Sequence, residues 1–414
     1  MNIWILNNYN MLPEQGGLVR HYNFAKCLAE KRHHVSVFVG SHPHNTDLQM
    51  IQDRSAWKIG QKTPFRWVYV RTLNYAGSRL KHILSMFQFF RNGKMAALAF
   101  FNQGERPDII LGSSAHPLAA VLAIRLAKRF RCKSIAEVRD LWPESIVAYG
   151  IAGPHNPAVL ALRRLEKWIY KKADALVFTM EGAYDYIVEQ GWDKDIPRSK
   201  VHYINNGVDL EQFDYNTEHF HVDDPDLDDP NTFKVVYTGS IRKVNNLGLL
   251  LDAAKCVNDP RVKFLIWGDG DEREALERRV RDEGLTNVVF KGRVEKKYIP
   301  SIVSRANLNF AHNSFTYLFN YGISFNKLFD YFAAGQPILC DFPCRYNSVI
   351  IYGAGMEVRD TRPQEIAAVI GQLAELPAEQ RRLMGANARR AAEDYDFKRL
   401  TDKLMAVIES IPEK

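Results

Sequence analysis

Lys327 and Asp330 stand three residues apart on a segment that is otherwise apolar, "NYGISFNKLFDYFAAGQPIL", residues 320–339. At that spacing both side chains share one helix face. A cation beside an anion there is either a surface pair at a helix start or a pair of ligand contacts, ammonium for phosphate and carboxylate for hydroxyls. Loop chemistry precedes them in Gly322, Ser324 and Asn326. The apolar run 328–334 reads as a short helix, stopped by Gly335 and Pro337. "PILCDF" then reads as a buried strand.

Other residues with chemistry follow apolar runs in the same way. Gly16 and Gly17 open a helical pattern over 18–31, either presenting backbone N–H groups to an anion or making a tight turn. They do not form the G-x-G-x-x-G fingerprint, so no dinucleotide is expected. "AEVRDLWPE" crowds Glu137, Arg139 and Asp140 at a strand end, as ligand contacts or as a structural ion pair. Further along come "INNGVD" with Asn206, "YTGSIRKVNN" with Arg242 and Lys243, "WGDGDERE" with Gly268, Asp269 and Gly270, and "KGRV" with Arg293 and Val294.

Elements must carry these residues. Short β-branched runs ("IWILNN", "VSVFVG", "DIILGSS", "KSIAEVR", "ALVFTM", "VHYINN") alternate with helical patterns in the first half. Near-continuous apolar strands between helices imply a parallel sheet covered on both faces, a doubly wound α/β domain. The pattern breaks at 214–232, acidic and proline-bearing, and reads there as a linker or exposed loop. It restarts with "KVVYTGS", "KFLIWGDG", "NVVFKG", "LNFAH" and "PILCDF". The length of 414 residues suits two domains. The expected division is a first domain 1–213, a linker 214–232, a second domain 233–395, and a last helix 396–414 returning to the first. Ligands of two such domains facing across a cleft belong at the C-terminal ends of both sheets.

The ordered set of motifs resembles the retaining glycosyltransferases of family 4, which have the GT-B fold. The matches are Gly16-Gly17, Asn206-Gly207-Val208-Asp209, Gly239, Gly268-Asp269-Gly270, Gly292-Arg293-Val294 and "FDYFAAGQP", spread over nearly the whole chain. "EVRDLWPES" with "GISFNKLFDY" is similar to the subgroup that builds bacterial surface polysaccharides, including the fucosamine transferases of O-antigen assembly. The resemblance implies transfer of a hexose or N-acetyl(deoxy)hexosamine from a UDP-sugar, with retention and without an essential metal or other cofactor. It places Asp330 on the ribose, and Arg242, Lys243 and Lys327 on the diphosphate, with helix-start amides at Ser324 to Lys327 on the same anion. Gly268, Asp269, Gly270, Arg293 and Val294 would line the base pocket. Gly16, Gly17, Glu137, Arg139 and Asp140 would receive the acceptor. Two departures stand out. Gly322 occupies the position of the family's first glutamate, so Ser324, Asn326 or a backbone amide would serve instead; the family's other cations fall on Ser240 and Asn245, with Arg242 and Lys243 between them.

Net charge is +7, and no Asp or Glu occurs from Arg54 to Gly104. That stretch holds Lys58, Lys62, Arg71, Lys81, Arg91 and Lys94 among aromatics. It suits an anionic membrane surface better than nucleic acid, for which no motif is present, the other reading being a solvated basic face over an ordinary core. The N-terminus lacks the pattern of a signal peptide, and no window is long enough to span a bilayer. Five scattered cysteines without C-x-x-C spacing read as reduced core thiols. The expected place is the cytoplasmic face of the inner membrane, acting on a polyprenyl-diphosphate-linked glycan. The alternatives are a UDP-sugar 2-epimerase of the same fold and a non-catalytic sugar-binding or assembly protein.

Overall fold

The computed structural model describes residues 1–44, 46–60, 63–75, 78–114 and 116–413. The chain forms two compact units: Met1–Asn205 with Phe397–Lys414, and Asn206–Asp396.

The first unit is built on an eight-stranded sheet of β1 (Asn2–Leu6), β2 (His34–Gly40), β3 (Trp57–Ile59), β4 (Arg66–Val70), β5 (Ile109–Ser113), β6 (Lys133–Val138), β7 (Ala175–Phe178) and β8 (Val201–Tyr203). Their order is β3-β4-β2-β1-β5-β6-β7-β8, with only β3 antiparallel to its neighbour. Trp4, Ile5 and Leu6 of the central strand are fully buried, as a strand covered on both faces requires. Helices Arg79–Asn102, Pro117–Phe130 and Pro157–Lys172 pack side by side on one face. Helix Arg20–Glu30 packs against Phe397–Ser410, where Phe24 meets Phe397 and Lys31 pairs with Asp402 at 2.7 Å.

The basic stretch is not a bare surface. It supplies β3, β4 and the 24-residue helix Arg79–Asn102. Trp67, Phe89 and Phe100 of its aromatics are core residues, while Phe87 is 58% exposed. Lys62 lies outside the described residues.

The second unit carries an all-parallel sheet of β9 (Phe233–Thr238), β10 (Val262–Trp267), β11 (Val288–Gly292), β12 (Leu308–Ala311), β13 (Ile338–Cys340) and β14 (Gly355–Glu357), ordered β11-β10-β9-β12-β13-β14. The expected linker 214–232 is instead part of this unit. It holds the end of helix Leu210–His219 and helix Pro225–Asp228, and Asp214, Asp224, Asp226 and Asp228 are bound to distant cations. Lys291 reaches Asp224 and Asp226 at 2.7 Å each, Lys263 reaches Asp226 at 3.0 Å, and Arg305 reaches Asp228 at 2.6 Å. Acidity marked an ion-paired belt, not a solvated loop.

Strand order reverses between β1 and β5 in the first unit and between β9 and β12 in the second. Ligands of open α/β sheets bind at such points, beyond the C-terminal strand ends.

Candidate active site

In the second unit the loops after β9, β10 and β11 are laced together. Gly239 N–H donates to Trp267 O at 3.0 Å, Ile241 N–H to Asp269 O at 2.9 Å, and Gly268 N–H to Gly292 O at 2.9 Å. A Cβ on Gly268 would stand 1.8 Å from Gly239 O, and one on Gly270 2.1 Å from Ile241 O. The G-D-G motif therefore exists to let two loops touch, leaving Asp269 exposed between them. Asn245 donates to Ser240 Oγ at 2.8 Å, so the residues standing where the family has its cations close the β9 loop on itself. Arg242, Lys243 and Arg293 are exposed on these loops and make no ion pair among the described residues. Val294 is half-buried beside Arg293.

At the switch point, helix Asn326–Ala334 begins two residues earlier than its apolar run suggests. Lys327 and Asp330 do not pair with each other. Lys327 Nζ donates to His312 O and lies 4.3 Å from the centre of the Tyr237 ring. Burial pushes its pKa down to about 7, against the attraction of Asp341. His312 follows β12, is fully buried, bonds Asp341 through Nδ1 and places Nε2 3.0 Å from Asn246 O. This support was missed in the sequence; a histidine and an aspartate each immediately following a strand were the available signal. Asp330 is half-buried and makes no hydrogen bond or ion pair among the described residues, and burial raises its pKa despite Lys296. Next to it, the Tyr331 hydroxyl accepts from Thr238 N–H at 2.9 Å.

The helix has no side-chain cap, and Asn326 is exposed at its first position. Ser324 O accepts from the buried Asn206 amide at 2.9 Å, which joins two expected ligand residues to each other. Gly322 adopts φ 110°, a conformation strained for any residue with a Cβ. A glutamate at that position could not sit on this backbone unstrained, which gives the missing family residue a physical reason.

In the first unit the expected residues separate. Gly16 and Gly17 lie outside helix Arg20–Glu30 rather than opening it. Nothing stands within 4 Å of where a Gly17 Cβ would be, so its backbone is open to approach. Glu137 is 1% exposed and turned inward. Arg20 Nε donates to it at 2.7 Å and His21 Nε2 lies 2.9 Å from its other oxygen. Arg20 also donates to Ile204 O at 2.8 Å. Burial alone would raise the Glu137 pKa, but Arg20 and His21 outweigh it and hold the carboxyl far below the usual range. Glu137 is thus a structural anion rather than a ligand contact. Arg139 has a buried Nε without a partner among the described residues, and Asp140 is exposed.

A second group, not anticipated, gathers at the β1–β5 switch point. The Tyr9 hydroxyl is 2.6 Å from His82 Nε2, and Tyr75 stacks on His82 at 4.6 Å. The Tyr75 hydroxyl is 2.6 Å from His44 Nδ1. His116 meets Tyr9 edge-on at 5.6 Å, and neither of its ring nitrogens has a partner among the described residues. Burial, then His82, lowers its pKa to about 3. The group presents apolar ring faces and polar ring edges, and burial also lowers the His82 pKa.

Residues 15–212 match the Glycosyltransferase Family 4 domain, and residues 223–391 match the Glycosyl transferases group 1 domain. The chain is a glycosyltransferase. The enzyme is 24% identical over 301 residues, 68% of its own chain and 69% of the relative, to the putative colanic acid biosynthesis glycosyl transferase WcaI of Escherichia coli. Its fold is shared with sucrose-phosphate synthase from Thermosynechococcus elongatus (TM-score 0.72, 17% identity, 99% and 98% of the two chains). It is shared equally with Anabaena HepE in complex with UDP (TM-score 0.68, 14% identity, 99% and 100%). The two parallel-sheet units are thus those of the GT-B glycosyltransferases. Among the described residues of the enzyme, no group of three His, Cys, Asp or Glu could hold a metal ion, and no helix is long and apolar enough to cross a membrane.

Proposed function

We propose that the enzyme transfers a hexose or N-acetyl(deoxy)hexosamine from a UDP-sugar to a glycan carried on a polyprenyl diphosphate, with retention of configuration, in the assembly of a bacterial surface polysaccharide. The observation that carries this reading is the set of unpaired charges at the C-terminal end of the second sheet: Arg242, Lys243 and Arg293 as cations and Asp330 as a carboxylate. The colanic acid title of one relative and the UDP in one structural neighbour point the same way.

In this reading Asp330 accepts hydrogen bonds from the ribose hydroxyls, and Arg293, Val294 and the Gly268–Gly270 turn border the base. Arg242, Lys243 and Lys327 offset the charge that grows on the departing diphosphate, so no metal is needed for that task. Ser324 and Asn326, with the uncapped helix start, hold the donor sugar in place of the absent glutamate. Front-face displacement needs no protein nucleophile, and the acceptor hydroxyl passes its proton to the leaving phosphate. The acceptor belongs to the first unit: Gly17, Arg139 and Asp140, with the Tyr9–His82–His116 group presenting ring faces to a sugar. The exposed face of helix Arg79–Asn102 meets the anionic cytoplasmic leaflet.

Thermal shift against UDP, GDP and ADP tests the donor half. UDP at 100 times its dissociation constant stabilises by about 2.7 kcal/mol. The expected result is stabilisation by UDP, unchanged by EDTA, and at least 10-fold weaker UDP binding in Asp330→Asn, since a hydrogen bond to a charged acceptor contributes about 1.5–3 kcal/mol. Silence from every nucleotide, or stabilisation abolished by EDTA, would overturn the reading.

A further inference from the structure

Helices Pro117–Phe130 and Pro157–Lys172 enclose a groove of about 710 Å³ on the first unit, lined by Arg125, Lys128, Arg131, Lys172 and Trp168. No acidic residue lines it, and none of its four cations has an ion pair among the described residues. Elsewhere on the same helix the contrast is clear: Lys167 and Lys171 are both bound to Asp195 at 2.8 Å. Lys128 and Lys172 lie in the last turns of their helices, where the helix dipole favours cations. That accounts for their position but not for an aromatic floor or for four unpaired charges in one recess.

Through Arg125 the groove borders the neighbouring helix of the same layer. Arg125 sits 5.7 Å over the Phe90 ring of helix Arg79–Asn102. That helix exposes Leu80, Ile83, Leu84 and Phe87, at i, i+3, i+4 and i+7, with Lys81, Arg91 and Lys94 exposed around them. One helical layer therefore offers apolar side chains beside a cationic recess. An interfacial surface for acidic lipid has this composition, with aromatics at headgroup depth and Lys and Arg on the phosphates.

We infer that the groove is a headgroup site: it takes the phosphate of an acidic phospholipid, Lys128, Arg131, Arg125 and Lys172 supplying charge and Trp168 packing on the glycerol backbone. It lies at the opposite end of β6 from Arg139, so it is separate from the residues assigned to transfer. The inference rests on the membrane contact proposed above for residues 54–104 and adds a second, specific contact outside that stretch.

Flotation of the full chain with vesicles of phosphatidylcholine alone, or with about one-third phosphatidylglycerol, tests it. Each cation at an anionic surface is worth a factor of about five, so Lys128→Gln with Arg131→Gln should weaken binding to the mixed vesicles roughly 30-fold. UDP stabilisation and the calorimetric melting of the first unit should both be unchanged in that variant, which shows that each unit is folded. Phe87→Glu, on the apolar stripe, reports on the membrane contact itself. If Phe87→Glu abolishes flotation while the double variant floats like the parent, the membrane reading stands and the groove site falls. A parent that floats with neither vesicle overturns both. Thermal stabilisation by inorganic pyrophosphate that is lost in the double variant, with flotation intact, would give the groove to a soluble phosphate compound and overturn the lipid assignment.

Discussion

Lys327 offers a test that depends on geometry and charge together. Its ammonium lies against the Tyr237 ring and the His312 carbonyl, with a pKa near 7. Between pH 7.0 and 8.5 the protonated fraction falls from about one half to about 3%, by the ordinary titration relation. A diphosphate beside it returns the pKa toward the usual lysine value, about 10.4. Binding then requires a proton that the free enzyme progressively lacks. UDP affinity should fall about 16-fold over that range, close to 1.7 kcal/mol. The nucleotide does not obscure the effect, because a terminal phosphate with pKa about 6 is almost fully ionised above pH 7. Calorimetry in buffers of different ionisation enthalpy should show uptake of about half a proton at pH 7.0 and nearly one at pH 8.5. Lys327→Arg, always charged, should bind UDP with a flat profile. A flat profile in the parent, with no proton uptake, would refute the placement of this lysine on the diphosphate.

Two further outcomes follow from packing. Glu137→Gln leaves Arg20 buried without its counter-charge, a loss of about 3–5 kcal/mol and a fall of about 10 °C in the melting of the first unit, read by calorimetry. The parent's own contribution from Glu137 is present above the unfolded carboxyl pKa, and is lost as pH drops below it, because the folded pKa is the lower one. Gly268→Ala drives a methyl into Gly239 O, so the second unit should melt lower and UDP binding should weaken even though no side chain that touches the nucleotide has changed. A variant that binds UDP like the parent would show that the loops after β9 and β10 need not touch.

The order of strands and helices could be read from the chain because strands buried on both faces must be almost wholly apolar, and few other segments are. Asp330 and Lys327 stood out for a related reason, as two charges on an otherwise apolar helix between a loop and a buried strand; that Lys327 packs on Tyr237 and bonds the His312 carbonyl could not be read there. The elements 54–104 were hidden by their own charge, since β3 and the long helix show basic residues to water and β4 opens on Arg66. Conversely, 214–232 looked unfolded only because the cations that neutralise it, Lys263, Lys291 and Arg305, lie far along the chain.

Local pattern therefore determined that the protein is two parallel α/β units with charged loops at the strand ends. It could not decide which way a charged side chain turns. Glu137 and Asp140 are three residues apart, yet one is sealed and the other exposed, because Arg20, 117 residues from Glu137, reaches one of them and not the other. The group of Tyr9, His44, Tyr75, His82 and His116 likewise exists only where β1, β2, β4 and β5 end side by side. Periodicity is a property of neighbours in sequence, whereas desolvation and ion pairing are properties of neighbours in space, and those are what the tertiary structure supplied.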